Sequence, residues 1–403
     1  MRIMKWVLYA VGILFALALI YGALNYEQLK RLTAVNSLFS EEKIVSNFSN
    51  MDDLFLNKPV PVSGERQDWT ETAIDLPEKF KSREKEWAVE EWLETSAATS
   101  LLVVQDGKIA HEQYRLGTGA DDLRISWSVA KSFLSAAFGV AVGEGKIDIE
   151  SPVDQYVPAF TGTAYEGVAV RNVLNMASGV KFNEDYLDFW SDINKMGRLL
   201  ALGGSMDEFA GDLKERNREQ GAARQYVSID THVLAMVLRA ATGKSLTDYL
   251  GEKIISPLGF KVQPYYLTDS EGVAFALGGL NMTTRDYARL GQLYLQRGYW
   301  KGRSIVPQTW VDASVVASAP ADANGDVFGY GYQWWVPPGS TENGGDYLAR
   351  GIYGQYIYIN PQTKTVIVKT SANREFRAEL PDGNTPSIAN VDMFRAIAVG
   401  VSQ

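Results

Sequence analysis

Ser126-Trp127-Ser128-Val129-Ala130-Lys131-Ser132-Phe133-Leu134-Ser135-Ala136-Ala137-Phe138-Gly139-Val140-Ala141-Val142-Gly143 is the stretch on which the reading of this chain turns. Ser128 and Lys131 stand three apart, which puts the two side chains on one face across a single helical turn. No charge follows Lys131 until Glu144. The small and apolar residues in between predict a helix over 128–143, buried on most sides and too short to span a membrane, with Gly143-Glu144-Gly145 as its stop. A serine hydroxyl is a weak nucleophile and needs a base beside it. A lysine can be that base where burial favours its neutral amine. The helix N-terminus adds free backbone N–H groups and a positive dipole end, both suited to developing negative charge.

Ser-x-x-Lys occurs four times, also at Ser40/Lys43, Ser82/Lys85 and Ser178/Lys181. The first two lie among Glu41, Glu42, Arg83 and Glu84, in exposed polar sequence where no desolvation is expected. Ser178/Lys181 brackets Gly179 in a loop-like setting that fixes neither side chain. Only Ser128/Lys131 has a buried helix behind it.

Working outward, the chain has 403 residues, 46% apolar and 22% charged, enough for a core with an enclosed pocket. A net charge of −9 and the lack of long Lys/Arg blocks argue against nucleic acid as a partner. Cysteine is absent, which removes disulfides, thiolate catalysis and Cys-ligated metals. His111 and His232 are the only histidines, so the chain lacks the residues of a multi-His zinc site, and both read as solvated surface groups. No metal or organic cofactor is expected.

Arg2 and Lys5 precede Trp6–Leu24, nineteen residues without a charge. At about 1.5 Å per residue this segment matches the hydrocarbon core of a bilayer. Ile20-Tyr21-Gly22-Ala23-Leu24-Asn25 offers no clear small-x-small cleavage site, so residues 1–24 read as an uncleaved single-pass anchor, with secretion after signal cleavage as the alternative. The positive charge before it keeps the start in the cytoplasm and exports the rest, to the periplasmic side of a bacterial inner membrane. Residues 25–85 show no sustained periodicity and read as a tether and lead-in without chemistry.

From residue 86 the pattern sharpens into a domain running to 403. Trp87–Leu93 suggests a helix, and the run Ser100–Tyr114 gives two strands around Asp106-Gly107, a hairpin signal. A helical insertion occupies about 145–265, including Asp230–Ala241 closed by Thr242-Gly243. Tyr347–Arg350, Tyr353–Ile359 and Thr365–Thr370 read as adjacent strands, and Asn390–Val401 as a terminal helix. The expected fold is α+β: one antiparallel sheet built from distant segments and flanked by terminal helices, with a mostly helical subdomain beside it.

Ser128-Val-Ala-Lys-Ser-Phe133, followed by Gly143-Glu-Gly-Lys-Ile147 and Ser151-Pro-Val-Asp-Gln-Tyr-Val-Pro158, resembles the first motif region of the serine β-lactamase and penicillin-binding-protein superfamily, in its class C-like branch. Val173-Leu-Asn-Met-Ala-Ser-Gly-Val-Lys-Phe-Asn-Glu-Asp-Tyr186 resembles a block of 6-aminohexanoate-dimer hydrolases and family VIII esterases. Asp248-Tyr-Leu250, Ile255-Ser-Pro-Leu-Gly259, Gly278-Gly-Leu-Asn-Met-Thr-Thr-Arg-Asp286 and Gly351-Ile-Tyr-Gly-Gln355 fit the same group. The resemblance implies a serine hydrolase with catalytic Ser128, Lys131 and Tyr226. Tyr226-Val227-Ser228 stands at the second element, Tyr-x-Asn, with Ser228 in place of the asparagine. A phenol beside a lysine ammonium has its anion favoured, which would make Tyr226 an acid/base partner. The third element, usually Lys-Thr-Gly, is Ala349-Arg350-Gly351, so its leading cation is missing unless Arg350 supplies the charge. The backbone N–H groups of Ser128 and Ile352 would form an oxyanion hole, and Tyr186, Ser228, Asn281, Arg350 and Gly351 would contact substrate. Trp334-Trp335 reads as core packing. Together these imply a hydrolase of small-molecule amides or esters. The alternatives are a β-lactamase or D-alanyl-D-alanine carboxypeptidase, disfavoured by Ala349, and a non-hydrolytic membrane-anchored penicillin-binding sensor.

Overall fold

A hairpin of two strands begins the principal sheet: β1 (Ala98–Gln105) and β2 (Lys108–Tyr114) turn at Asp106-Gly107, whose φ angles of 47° and 79° are both positive, as a tight primed turn requires. The structure, a computed structural model, describes residues 2–380 and 383–403. Five more strands complete the sheet: β3 (Gly329–Tyr330), β4 (Trp335–Val336), β5 (Tyr347–Gly351), β6 (Gln355–Asn360) and β7 (Thr365–Ser371). The order is β3-β4-β5-β6-β7-β1-β2, antiparallel throughout, so the N-terminal hairpin joins the sheet beside its last strand.

Side chains alternate between two cores, as period-two strands buried on both faces must. Leu102, Val104, Ile357, Ile359, Val366 and Val368 enter one, and Leu101, Val103, Tyr356, Tyr358 and Ile367 the other. Seven described helices exceed ten residues: α1 (Arg2–Leu24), α2 (Tyr26–Ser37), α3 (Ala130–Gly143), α4 (Asp192–Leu202), α5 (Ile229–Thr242), α6 (Thr284–Leu295) and α7 (Pro386–Gly400). On one face α7 and the short helix Val89–Thr95 cover the sheet with Met393, Phe394, Ile397, Trp92 and Leu93. On the other α6 lies so close that a Cβ on Gly291 would stand 2.4 Å from Val366 Cγ1. Further helices between Val153 and Ile255 form the expected helical part.

Residues 25–85, expected to be a tether, are instead built into the body. Helix α2 lies against α4, where Arg31 Nε donates to Ala201 O at 2.7 Å. Leu38, Ile44, Phe48, Met51 and Val60 are buried in the main core. Asn57–Pro59 pairs with Tyr265–Leu267 in a second, four-stranded sheet that also holds Leu280–Met282 and Arg124–Ile125. No periodicity announced this, because single aromatic and aliphatic residues are buried from short turns rather than from a repeating face. Helix α1 is unburied from Met4 to Leu24, and its length and hydropathy suffice to cross a membrane, as those of a signal sequence also would.

His232 corrects a second expectation: it is fully buried on α5, with Nε2 2.9 Å from Asp207 Oδ1. His111 is partly buried on β2 rather than solvated, with no partner for its Nε2.

Candidate active site

Ser128 is the middle residue of a single 3-10 turn, Trp127–Val129, that runs directly into α3. Trp127 has φ 44°, a conformation that bulky residues rarely adopt. The facing segment is the end of β5, where Gly351 approaches so closely that a Cβ there would lie 3.2 Å from Ser128 N and 2.8 Å from Ser126 O. Only glycine permits this approach, and it brings Ile352 alongside Ser128 on the cavity wall. Tyr353, the next residue, has φ 60°. An aromatic cluster holds both strained residues: Phe39 stacks on Tyr353 at 4.8 Å, and Phe48 meets Trp127 and Tyr353 edge-on, each at 5.4 Å. Phe39 and Phe48 come from the segment read as a tether.

Lys131, the second residue of α3 and one turn beyond Ser128, is 1% exposed. Its Nζ donates to Leu277 O at 2.8 Å and to Ser228 Oγ at 3.3 Å. Burial lowers its pKa to about 7, against the opposing pull of the Glu184 and Asp230 carboxylates. Ser228 donates in turn to Glu184, through its hydroxyl to Oε1 and through its backbone N–H to Oε2 at 2.9 Å. Tyr186 Oη donates to the same Oε1 at 2.7 Å. A hydroxyl has one proton to give; Ser228 gives its own to Glu184 and so receives from Lys131. A neutral amine has two N–H bonds and one lone pair. With both N–H bonds engaged in this way, the neutral amine keeps its lone pair free of these two partners.

Tyr226 precedes α5 in a segment fixed from both sides, with Gln225 N donating to Met176 O at 2.8 Å and Arg224 N to Ala321 O at 3.0 Å. Its ring stacks on Trp335 at 5.2 Å, the Ser128 side chain is close enough to act on its ionisation, and Lys131 Nζ stands 5.4 Å from its ring centre. Burial raises the Tyr226 pKa well above the ordinary phenol value; the Ser128 side chain pulls it back only in part, and Glu184 adds to the rise. The shifts run opposite to the favoured phenolate of the sequence reading: burial favours the protonated phenol of Tyr226 and the neutral amine of Lys131. Nor is the spacing unique to Tyr226, since Tyr358-Ile359-Asn360 also reads Tyr-x-Asn. Tyr358, however, lies on β6 and donates to Asp346 at 2.9 Å in the core beneath α7.

Two cavities meet at Ser128, and Tyr186 and Ile352 line both. One, about 320 Å³, is mainly apolar and extends beneath α2 and α4. The other, about 580 Å³, contains Tyr226, Trp335, Arg83, Arg350, Arg377 and Asp326. Arg350 borders the second cavity with its Nη2 2.9 Å from Asp326 Oδ2 and its guanidinium 3.9 Å from the Trp335 ring centre, so its charge is already paired. Asn281 lines neither cavity. It lies in the strand Leu280–Met282, fully buried, and donates to Gly279 O at 2.9 Å. Trp334 packs in the core against Tyr294 at 4.3 Å, as expected, whereas Trp335 walls the second cavity. Sequence reasoning missed Glu184, although it stands inside Phe182-Asn-Glu-Asp-Tyr186, the motif that drew attention to Tyr186.

The other three Ser-x-x-Lys pairs have no such surroundings. Ser82, buried rather than exposed, donates to Asp392 at 2.6 Å; Lys181 is exposed and pairs with Glu215; Ser40 and Lys43 flank a surface turn. A serine at a strained helix entrance, a desolvated lysine one turn on and a buried tyrosine beside them, on a helix-flanked antiparallel sheet, define the β-lactamase-like class of serine hydrolases.

The chain matches the Beta-lactamase family model over residues 90–391 and belongs to that family. It is 32% identical over 297 residues to the 6-aminohexanoate-dimer hydrolase of Paenarthrobacter ureafaciens, covering 70% of this chain and 75% of that one. The fold is shared with a Bacillus anthracis protein assigned as a 6-aminohexanoate-dimer hydrolase (TM-score 0.78, 23% identity, covering 91% of this chain and 95% of that one). It is shared also with a family VIII carboxylesterase (TM-score 0.55, 15% identity, 75% and 92% covered). The protein is a serine hydrolase of this superfamily.

Proposed function

We propose that the protein hydrolyses linear amides or esters by two-step acyl transfer through Ser128. The observation that carries this reading is the orientation of Lys131, whose two amine protons are engaged by Leu277 O and Ser228 Oγ. Its lone pair takes the Ser128 proton as Oγ bonds to the substrate carbonyl carbon. The carbonyl oxygen becomes an oxyanion held by the N–H groups of Ser128 and Ile352. Collapse of the tetrahedral intermediate breaks the bond to the leaving nitrogen or oxygen, and Tyr226 donates it a proton that the Lys131 ammonium replaces. Water then adds to the acyl-enzyme, its proton passes back to the same pair, and the bond to Oγ breaks. No step calls for a metal or an organic cofactor.

Penicillins are a poor fit. Ala349 carries no charge where the superfamily pattern has lysine, and Arg350 is occupied by Asp326. Helix α1 supports a membrane anchor with the hydrolase on the periplasmic side of a bacterial inner membrane; a membrane fraction that retains the full-length chain through a carbonate wash would bear this out. For the chemistry, p-nitrophenyl esters should be turned over by the wild type and not by Ser128→Ala, while a fluorescent penicillin leaves no stable label. Stable penicillin labelling without ester turnover would favour the sensor reading instead.

A further inference from the structure

We propose that the apolar cavity is an acyl-chain site, and that the preferred substrates carry an unbranched apolar acyl group of about eight carbons; this rests on the acyl-transfer reading of Ser128. The direction follows from Tyr226. A leaving group must lie within reach of its proton donor, and Tyr226 lines the second cavity and not the first. The acyl half of the substrate therefore points into the first.

That cavity is walled by Leu38, Phe39, Met51 and Phe55 on one side and by Ile193 and Leu200 of α4 on the other. Among the described residues its lining includes no carboxylate. Arg198, the one cation among its described lining residues, sits 4.0 Å from the Phe189 ring centre, and Asn194 is spent on the carbonyls of Tyr186 and Asp188 at 3.0 and 2.8 Å. An ammonium at the far end of the acyl chain would find a cation and apolar walls there, whereas a methyl terminus would be buried without loss. A cavity of ~150 Å³ with such a lining accepts one benzene, and this one is about 320 Å³. At the rim Leu187 and Phe189 are exposed.

The test is kcat/KM of the full chain on p-nitrophenyl acetate, butyrate, hexanoate and octanoate, with the 6-aminohexanoate ester alongside. Each added methylene should raise kcat/KM by about fourfold up to octanoate, and the amino ester should fall at least about tenfold below hexanoate. Gly197 supplies the structural arm. It lies on α4 in register with Ile193 and Leu200, lines the cavity, and has no heavy atom within 4 Å of where a Cβ would stand. Gly197→Leu starts from a Cβ in open space, extends into the cavity, and should lower the octanoate-to-acetate ratio at least about tenfold. Phe55→Ala should move the optimum to longer chains. Turnover of acetate with a flat or falling series, or an unchanged ratio in Gly197→Leu, would overturn the chain site and leave Ser128 as nucleophile. Failure of every ester, acetate included, would overturn the acyl-transfer reading and the chain site with it.

Discussion

Lys131 on α3 and Lys369 on β7 are both buried, and burial lowers both to a pKa of about 7. Desolvation alone does not distinguish them; their surroundings do. Lys369 donates to Ser371 Oγ at 2.7 Å, and burial alone, with no carboxylate acting on it, sets its shift. Lys131 has a carbonyl and a hydroxyl to orient it, carboxylates at Glu184 and Asp230 to oppose its neutralisation, and a serine one turn away at the meeting of two cavities. A low lysine pKa thus becomes a base only where the freed lone pair has a proton to take.

The comparison breaks most visibly at the nucleophile. Ser128→Ala should reduce ester turnover to the uncatalysed rate, because Lys131 then has nothing to activate. Next, Lys131→Ala should cost at least about two orders of magnitude in kcat, whereas Lys369→Met, which removes an amine bonded to Ser371, should cost less than about tenfold. Equal losses in steady-state assays of both would erase the distinction. Tyr226→Phe removes the leaving-group proton and should cost on the order of a hundredfold, more for amides than for activated esters whose leaving group needs no acid.

Smaller effects sharpen the contrast. The Glu184 carboxylate raises the Lys131 pKa, so Glu184→Gln should move the inflection in kcat/KM against pH below about 7. A pH profile that does not move would detach Glu184 from the base. The last effect concerns stability. A lysine whose folded pKa lies below its unfolded one penalises folding fully at low pH, and the penalty lifts as pH rises from about 7 toward about 10.4. Lys369→Met should raise Tm by a few degrees at neutral pH and flatten the gain in stability across that window, read by thermal melts; an unchanged slope would show that Lys369 is charged and paired in the fold.

What could be read from the sequence follows the same division between local pattern and tertiary company. The β1–β2 hairpin announced itself through Asp106-Gly107, α3 through its uncharged run, and α5 through the glycine stop at Gly243, which takes φ 69°. Ser128 and Lys131 were legible because spacing and burial both lie in one short stretch. The ionisation of Tyr226 was not, because Trp335 and Tyr330 desolvate it from strands a hundred residues away. Glu184 escaped notice because its value depends on meeting Ser228 and Lys131 from separate segments. Phe39 and Phe48 looked like isolated aromatics in a lead-in; they pack on Trp127 and Tyr353, the neighbours of Ser128 and Ile352, a role that no periodicity encodes.

The central claim is that a neutral Lys131 activates Ser128. The rate of Ser128 labelling by a fluorophosphonate, measured from about pH 5 to about pH 9 on the full chain, tests it most directly. The account predicts a rate that rises with pH through a single inflection near 7, falls by at least about two orders of magnitude in Lys131→Ala, and vanishes in Ser128→Ala. A rate independent of pH across that range, or one that survives the loss of Lys131, would contradict it.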